Sequence, residues 1–170
     1  TSRPETLFGD IAVCVNPDDG RYKKLVGKKV FLPLINKQIP IISDSAIELD
    51  FGTGCLKVTP AHDIVDYEIF ERNKSEIEKY GTHYFPYPEI MSPNGKIQDK
   101  ENIGIPTDIV GLERFKAREI TIQKLEELEK KLEENMKMVR QMRRYFFWTL
   151  ILSLAVIVLP LIGLFFLLPQ

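Results

Sequence analysis

Cysteine and histidine are scarce in this chain, and their scarcity excludes several kinds of site. Cys14 and Cys55 are the only cysteines among 170 residues, too few for a disulfide scaffold and without the spacing of metal ligands. His62 and His83 are the only histidines. His62, beside Asp63, is interpreted as a surface group or a support for a site, and His83 as structural. The sequence predicts no metal, no other cofactor and a reducing compartment.

A strong excess of charge of one sign is also missing. The formal net charge is −1 at pH 7, so overall charge indicates no class of partner. There is no charged leader followed by a short apolar stretch, as in a signal peptide, and no internal repeat. The opening letters TSRPET read as the continuation of a strand, which predicts a truncated product. The length fits one domain with an appended element.

Residues 1–111 have the pattern of a β-rich globular domain. Short runs of β-branched and aromatic residues, namely IAVCVN, KKVFLPL and NKQIPII, are separated by turn signals such as DDG and NG. Helical spacing appears after Pro60, in AHDIVDYEIFERNKSEIEKY, and again from Leu112. The sequence therefore predicts strands joined by turns, followed by helices.

The segment FGTGCLKVTPAHD concentrates candidate functional residues. Its glycines permit a sharp turn or the close approach of a ligand, which makes a candidate binding turn of Gly52, Thr53 and Gly54. In the strand that follows, successive side chains alternate between the two faces. Lys57 and Thr59 therefore share a polar face, opposite a core face.

A helix start is predicted after this strand. Thr59 before Pro60 is the order expected of an N-cap and a first helical position. Asp63 and Asp66, three apart, would share one face of that helix. Four side chains can then converge: Lys57, Thr59, Asp63 and Asp66. The alternative is structural, in that Thr59 only caps, the aspartates complement the helix dipole, and Lys57 is solvated.

Four segments of the chain carry a family resemblance: TSRPETLFGDIAVCVNPDD, LPLINKQIPIISD, FGTGCLKVTPAHDIVDYE and VGLERFKAR. Together they resemble the inserted editing domain of valyl-tRNA synthetase, in the family's order and about its spacing, over residues 1–127. RPET and PAHD are also similar to the leucyl enzyme, whereas GDIAV, IPII and KVTPAHD favour the valyl one. The resemblance implies an α+β fold with a β-rich, barrel-like domain of the Val/Leu/Ile-tRNA synthetase editing type.

The activity implied by the resemblance is hydrolysis of threonine wrongly esterified to valine tRNA. Threonine and valine have nearly the same shape, and an apolar pocket rejects the extra hydroxyl only about a hundredfold. A second, polar site can bind the threonine hydroxyl, whereas valine leaves the same polar groups unpaired. The implied partner is aminoacylated tRNA of the valine type.

The resemblance also implies roles for individual residues. Three have the chemistry to bind the threonine hydroxyl: Lys57, Thr59 and Asp66. Asp63 would hold the substrate's α-ammonium through a charge-assisted hydrogen bond, and Arg3 and Thr6 would line the opposite wall. No serine or cysteine stands beside a base. Water, positioned by the pocket and the terminal ribose hydroxyl, is therefore the expected nucleophile.

Valyl-tRNA synthetases also have an ATP-binding catalytic domain, with signatures of the His-x-Gly-His and Lys-Met-Ser-Lys-Ser types. Neither signature is present in this sequence. We therefore expect that the chain cannot aminoacylate, and that ATP would serve only the absent synthetic domain.

Residues 112–144 are predicted to form a connecting helix. From Leu125 to Met142, apolar residues recur at alternating spacings of three and four with glutamate and lysine around them. This pattern is typical of a short coiled coil with one polar core position. The alternative is a solvated charged helix with incidental leucines. A coiled coil over residues 125–142 would make a homo-oligomer.

Residues 145–168 form an uncharged run, YFFWTLILSLAVIVLPLIGLFFLL, long enough for a bilayer, which needs about 20 residues. Basic residues precede the run and aromatic residues begin it. The sequence predicts a transmembrane helix in the lipid bilayer with the rest of the chain in the cytoplasm, and Pro160 does not forbid it. A buried core helix fails as an alternative because so small a domain could not cover an apolar rod.

Two functions from different classes are compatible with these features. The first is a partial editing hydrolase carried on a membrane anchor. The second is an inactive membrane-anchored structural or interaction protein, which keeps an editing-like fold and associates with itself through the helix.

Overall fold

The computed structural model describes residues 2–80 and 87–167, with side chains as far as residue 160. His83, which we interpret as structural, lies outside the described residues. The chain divides into two compact units, Thr1–Leu125 and Glu126–Gln170.

Four short strands form one mixed sheet in the first unit, each within about a residue of a segment that the sequence predicts as a strand. They are β1 (Ala12–Val15), β2 (Lys29–Leu32), β3 (Lys37–Ser43) and β4 (Cys55–Val58). Their order in the sheet is β2-β3-β1-β4. β3 lies antiparallel to β2 and parallel to β1, and β4 lies antiparallel to β1. The fold is therefore a mixed sheet with helices.

The sheet is open, so the predicted barrel-like closure is wrong. β2 and β4 are its two edges and do not pair with each other. A barrel closes only when tilted strands return to the first strand with a fixed stagger. In the part of the chain that the structure describes, the strands are too few and too short to return in this way.

Two helices border the end of the sheet where β1 starts and β4 ends. A 3₁₀ helix occupies Pro4–Gly9, and α1 runs over Ile64–Lys79. α1 begins later than the predicted start at Pro60, because Asp63 rather than Thr59 is its N-cap. The carboxylate of Asp63 accepts hydrogen bonds from the backbone N–H of Val65 and Asp66 at 2.9 and 3.4 Å. Asp63 therefore precedes the helix and does not share a helical face with Asp66.

Two apolar clusters form the core of the first unit. The first packs β1, β3 and β4 against α1, and consists of Ile11, Ala12, Cys14, Ile42, Ile47, Val58, Ile69, Phe70 and Ile77. The second joins the 3₁₀ helix to the later part of the unit, and consists of Phe8, Ile90, Ile97, Ile105, Ile109 and Ala117. These clusters fix the elements from which the polar side chains project.

The last element, α2, runs over Arg114–Leu167 and continues through Pro160. Ala117 and Thr121 are buried within the first unit, whereas the side chains of Leu132 and Met136 in the second unit are exposed. Within the described residues, one helix, over Arg114–Pro160, is long and apolar enough to cross a membrane, and its most apolar stretch is not buried. It is a candidate span by length and composition alone.

Candidate functional site

Polar side chains from distant parts of the sequence meet at one end of the sheet. Because β1 and β4 are antiparallel, the start of β1 lies beside the end of β4, and the N–H of Ile11 donates to the carbonyl of Val58 at 2.9 Å. This register brings Asp10, just before β1, next to Thr59, just after β4. The 3₁₀ helix adds Thr6 to the same end.

Lys57 connects these groups. Its ammonium Nζ donates to Thr59 Oγ1 at 2.5 Å, to Thr6 Oγ1 at 2.8 Å and to Asp10 Oδ1 at 3.0 Å. The Thr59 hydroxyl in turn donates to Asp10 Oδ1 at 2.5 Å. We call Thr6, Asp10, Lys57 and Thr59 the Lys57 cluster. An ammonium has three hydrogen-bond donors, and all three donors of Lys57 are occupied within the cluster.

Asp10 is the buried anion of the Lys57 cluster and is only 1% exposed. Burial raises its pKa to about 6, although the charge of Lys57 and the hydrogen bond from Thr59 oppose that shift. The sequence reasoning missed Asp10. Its only local signal is a carboxylate placed directly before a buried β-branched strand, which alone does not reveal a partner 47 positions away.

Thr59 and Asp66 fix the turn that leads into α1. The backbone N–H of Thr59 donates to Asp66 Oδ2 at 2.8 Å. Asp66 is buried, and this burial raises the pKa of its carboxyl group. Asp66 therefore lies behind the Lys57 cluster and holds the backbone of one of its members.

A more exposed pair lies next to this turn. Arg3 Nη2 donates to the carbonyl oxygen of His62 at 2.5 Å and lies 3.6 Å from Asp63 Oδ2. The side chains of Arg3 and Asp63 are each nearly half exposed. His62 Nε2 accepts from the N–H of Ile90 at 3.3 Å, and burial together with the charge of Arg3 lowers its pKa. His62 is thus a neutral acceptor that supports the turn.

The predicted binding turn lies elsewhere. Gly52 and Gly54 have φ of 57° and 75°, which glycine adopts without strain, and the carbonyl of Thr53 accepts from the hydroxyl of Tyr22. Gly54 precedes β4 whereas Thr59 follows it, so about 16 Å of extended chain separates them. The structure therefore does not bring the three turn residues to the Lys57 cluster.

The described residues contain no group of three or more His, Cys, Asp or Glu side chains placed to hold a metal ion. Cys14 is buried, and this burial raises the pKa of its thiol to about 12. A thiol that stays protonated is a poor nucleophile. The arrangement at the sheet end instead offers a cation, carboxylates and hydroxyls, which can bind an ammonium and a hydroxyl and orient water.

Asp10 should make the stability of the chain depend on pH. An aspartate has a pKa of about 3.9 in an unfolded chain, so the folded chain keeps this proton to a higher pH. Proton binding by Asp10 adds up to about 3 kcal/mol to the free energy of unfolding below about pH 4. This stabilisation is lost as the pH rises to about 6. Asp10→Asn removes this titration.

The measurement is urea unfolding of both proteins in the same detergent, followed by the near-ultraviolet signal of tyrosine. The free energy of unfolding of the unmodified chain should fall relative to that of Asp10→Asn as the pH rises from about 4 to about 6, and then run parallel to it. A difference that stays constant over this pH range would contradict the buried, proton-binding Asp10.

The site lies within a segment with known relatives. Over 128 residues, the chain is 45% identical to valine–tRNA ligases from Streptococcus pyogenes serotypes M28 and M1. Three quarters of this chain is homologous to valine–tRNA ligase. The aligned segment spans only 13% of the length of these valine–tRNA ligases. No family model matches the chain.

A solved structure shares the fold. It is titled "The crystal structure of GlLeuRS-CP1" and superposes with a TM-score of 0.53 and 17% sequence identity, over 76% of this chain and 79% of that one. Identity this low shows the fold alone. The homology to valine–tRNA ligase and the likeness to the CP1 structure each cover about the same share of the chain.

Proposed function

We propose that this chain is an editing-domain fragment of the valine–tRNA ligase type, which hydrolyses the ester between threonine and valine tRNA. The Lys57 cluster is the observation that carries the proposal. A buried carboxylate, an ammonium and two hydroxyls are joined by direct hydrogen bonds within a segment homologous to valine–tRNA ligase. Burying polar groups costs free energy, so a segment that only had to form an apolar core would not be expected to bury so many of them together.

The polarity of the cluster supports threonine as the substrate. Hydrogen bonds within the cluster keep its groups paired before a substrate binds. A substrate hydroxyl that replaces one of these bonds keeps every group paired, whereas an analogue without the hydroxyl leaves the displaced group unpaired. Valine has a methyl group in place of the hydroxyl of threonine. The proposed site therefore hydrolyses threonyl-tRNA and spares valyl-tRNA.

The proposed roles follow from charge and position. Asp63, at the exposed rim beside Arg3, holds the α-ammonium of the substrate. Lys57 and Thr59 exchange one of their hydrogen bonds within the cluster for a bond to the side-chain hydroxyl, and Asp66 holds the backbone of Thr59 behind them. Thr6 accepts a hydrogen bond from Lys57 and so holds that ammonium in place. Water attacks the ester carbonyl carbon, the bond to the ribose oxygen breaks, and that oxygen takes a proton as free threonine and tRNA separate.

The test is release of amino acid from preformed threonyl-tRNA and valyl-tRNA, both with valine tRNA, by the full chain in detergent micelles. We expect release from threonyl-tRNA at least about a hundredfold faster than from valyl-tRNA, in keeping with the discrimination of sites that bond a hydroxyl. No release above the rate in buffer, or equal release from both, would overturn the proposal.

A second candidate function is favoured by α2. Leu132, Val139 and Met142, which occupy predicted core positions of the coiled coil, all have side chains more than half exposed, so they are open to a second copy of the chain. We infer a division into an editing-like domain at 1–111, a connecting and self-associating helix at 112–144, and a membrane span at 145–168. In this alternative the domain is inactive and the cytoplasmic chain is an anchored interaction protein.

The proposed span predicts firm membrane attachment. The unmodified chain should stay with the membrane pellet after alkaline carbonate extraction, whereas Leu152→Lys with Val156→Lys should move into the supernatant. Each lysine near the centre of a span opposes insertion by about 2.5–3.5 kcal/mol. The matched control, Leu132→Lys with Met136→Lys, adds the same charge outside the span and should remain in the pellet. Extraction of the unmodified chain would contradict the anchor.

A further inference from the structure

Glu5 is a buried carboxylate that takes no direct part in the Lys57 cluster. It lies in the 3₁₀ helix and is 1% exposed. Its partner is Arg118 on α2, 113 positions later, whose Nε and Nη2 donate to the two carboxylate oxygens at 2.8 and 2.6 Å. The two parallel bonds make a fork that only a guanidinium provides.

The pair is ionic at neutral pH. Burial alone would raise the pKa of Glu5, but the hydrogen bonds and charge of Arg118 hold it below its ordinary range. A buried carboxylate that loses its guanidinium either takes up a proton or moves toward water. In both cases the 3₁₀ helix that carries it has to adjust.

The neighbours of Glu5 in this helix are residues of the site. Thr6 comes next, and its hydroxyl accepts from Lys57 and donates to the carbonyl of Arg3 at 2.9 Å. Arg3 immediately precedes the helix and reaches toward Asp63. The helix is six residues long, so a shift at Glu5 is transmitted to Thr6 within one peptide unit.

We propose that Arg118 is a positioning residue for the candidate site. Through Glu5 it fixes the 3₁₀ helix so that the Thr6 hydroxyl meets Lys57. The inference rests on the proposed function. It adds to the candidate site a positioning residue on α2, which is distant in sequence from the members of the Lys57 cluster. Phe8 and Ala117 belong to one buried apolar cluster, which holds the same two elements together but does not orient the Glu5–Arg118 hydrogen bonds.

The first test reports position without activity. In the full chain in micelles with ¹³C-labelled threonine methyl groups, Arg118→Ala should shift the Thr6 methyl signal, assigned by its loss in Thr6→Val. Added guanidinium should return the signal, because the Arg118 side chain is partly exposed. Lys116→Ala removes a charge from the same helix, from an exposed pair with Glu119, and should leave the signal in place.

The second test uses hydrolysis of threonyl-tRNA. A misplacement of about 1 Å can cost about a hundredfold in rate, so Arg118→Ala should lower kcat by about thirtyfold to a hundredfold, with KM little changed. Guanidinium should restore part of the rate, and Arg118→Lys, which keeps the charge but loses the fork, should be intermediate. In a Thr6→Val background, Arg118→Ala should lower kcat by less than about threefold further, because it acts through Thr6.

The outcomes separate the two proposals. If the unmodified chain does not hydrolyse threonyl-tRNA, the proposed function fails, while the Thr6 signal still shows whether Arg118 positions the helix. The positioning role is overturned if Arg118→Ala leaves the Thr6 signal unmoved. It is also overturned if the losses of kcat in Arg118→Ala and Thr6→Val multiply in the double variant. If Arg118→Ala does not fold, the folded Arg118→Lys decides: a shifted Thr6 signal supports the role and an unshifted one ends it.

Discussion

Lys57→Met should lower the rate of threonyl-tRNA hydrolysis by at least about a hundredfold, as expected when a group that organises a whole site is lost. Methionine keeps the length of the side chain but removes the donor shared by Thr6, Asp10 and Thr59. The substitution should also lower the free energy of unfolding by about 3–5 kcal/mol, because it leaves Asp10 buried without its cation. Release of threonine from threonyl-tRNA at a temperature where the variant is folded measures the first effect.

Two controls separate the chemistry of Lys57 from its effect on stability. Lys100→Met removes an exposed lysine, paired with Glu89 at 3.6 Å, and should change stability by no more than about 1 kcal/mol and leave hydrolysis unaltered. Asp10→Asn combined with Lys57→Met removes both charges of the pair, the half-buried ammonium and the buried carboxylate, and should recover most of the lost stability without recovering activity. Full activity in the double variant would show that the cluster only supports the fold.

Asp63→Asn should lower threonyl-tRNA hydrolysis by about tenfold to a hundredfold, while changing stability little. Asparagine caps a helix as well as aspartate does, so the bond to the N–H of Val65 is kept, but the negative charge proposed to hold the α-ammonium is lost. A hydrogen bond to a charged group contributes about 1.5–3 kcal/mol, which gives the expected range. The measurement is release of threonine from threonyl-tRNA, with circular dichroism to follow unfolding.

A second substitution distinguishes the two roles of Asp63, which are binding the α-ammonium and capping α1. Asp63→Ala removes both the charge and the cap, so it should lower activity like Asp63→Asn and also destabilise the chain by about 1 kcal/mol. Asp50→Asn, at an exposed position, removes the same charge away from the site and should leave both quantities unchanged. Activity lost in Asp63→Ala but kept in Asp63→Asn would assign Asp63 to the cap alone.

The local elements could be predicted from the sequence because each has a local cause. Alternating and β-branched residues predict β1, β2, β3 and β4 within a residue or two at most ends. The start of α1 was misplaced because Thr59 followed by Pro60 and Asp63 followed by Asp66 are both good helix starts, and a local pattern cannot rank them. In the structure Asp63 is the N-cap, because the Thr59 hydroxyl is hydrogen-bonded to Asp10 instead.

The contacts that complete the site could not be predicted in this way. Asp10 meets Lys57, and Glu5 meets Arg118, only because strand register and core packing bring distant segments together. Hydrophobic periodicity reports which side of an element is buried, not which element covers it. The barrel-like closure was implied by the family resemblance, and it is wrong because β2 and β4 remain the two unpaired edges of the sheet.

The Glu5–Arg118 pair also sets an order of events during synthesis. It joins residues 113 positions apart, and closing so large a loop loses chain entropy before any contact repays it. Glu5 leaves the ribosome before Arg118, so its carboxylate pairs with the guanidinium only after α2 has begun to emerge. Between the synthesis of Glu5 and that of Arg118, the nascent chain therefore has an incomplete site, and the 3₁₀ helix stays accessible to proteases and chaperones until α2 emerges.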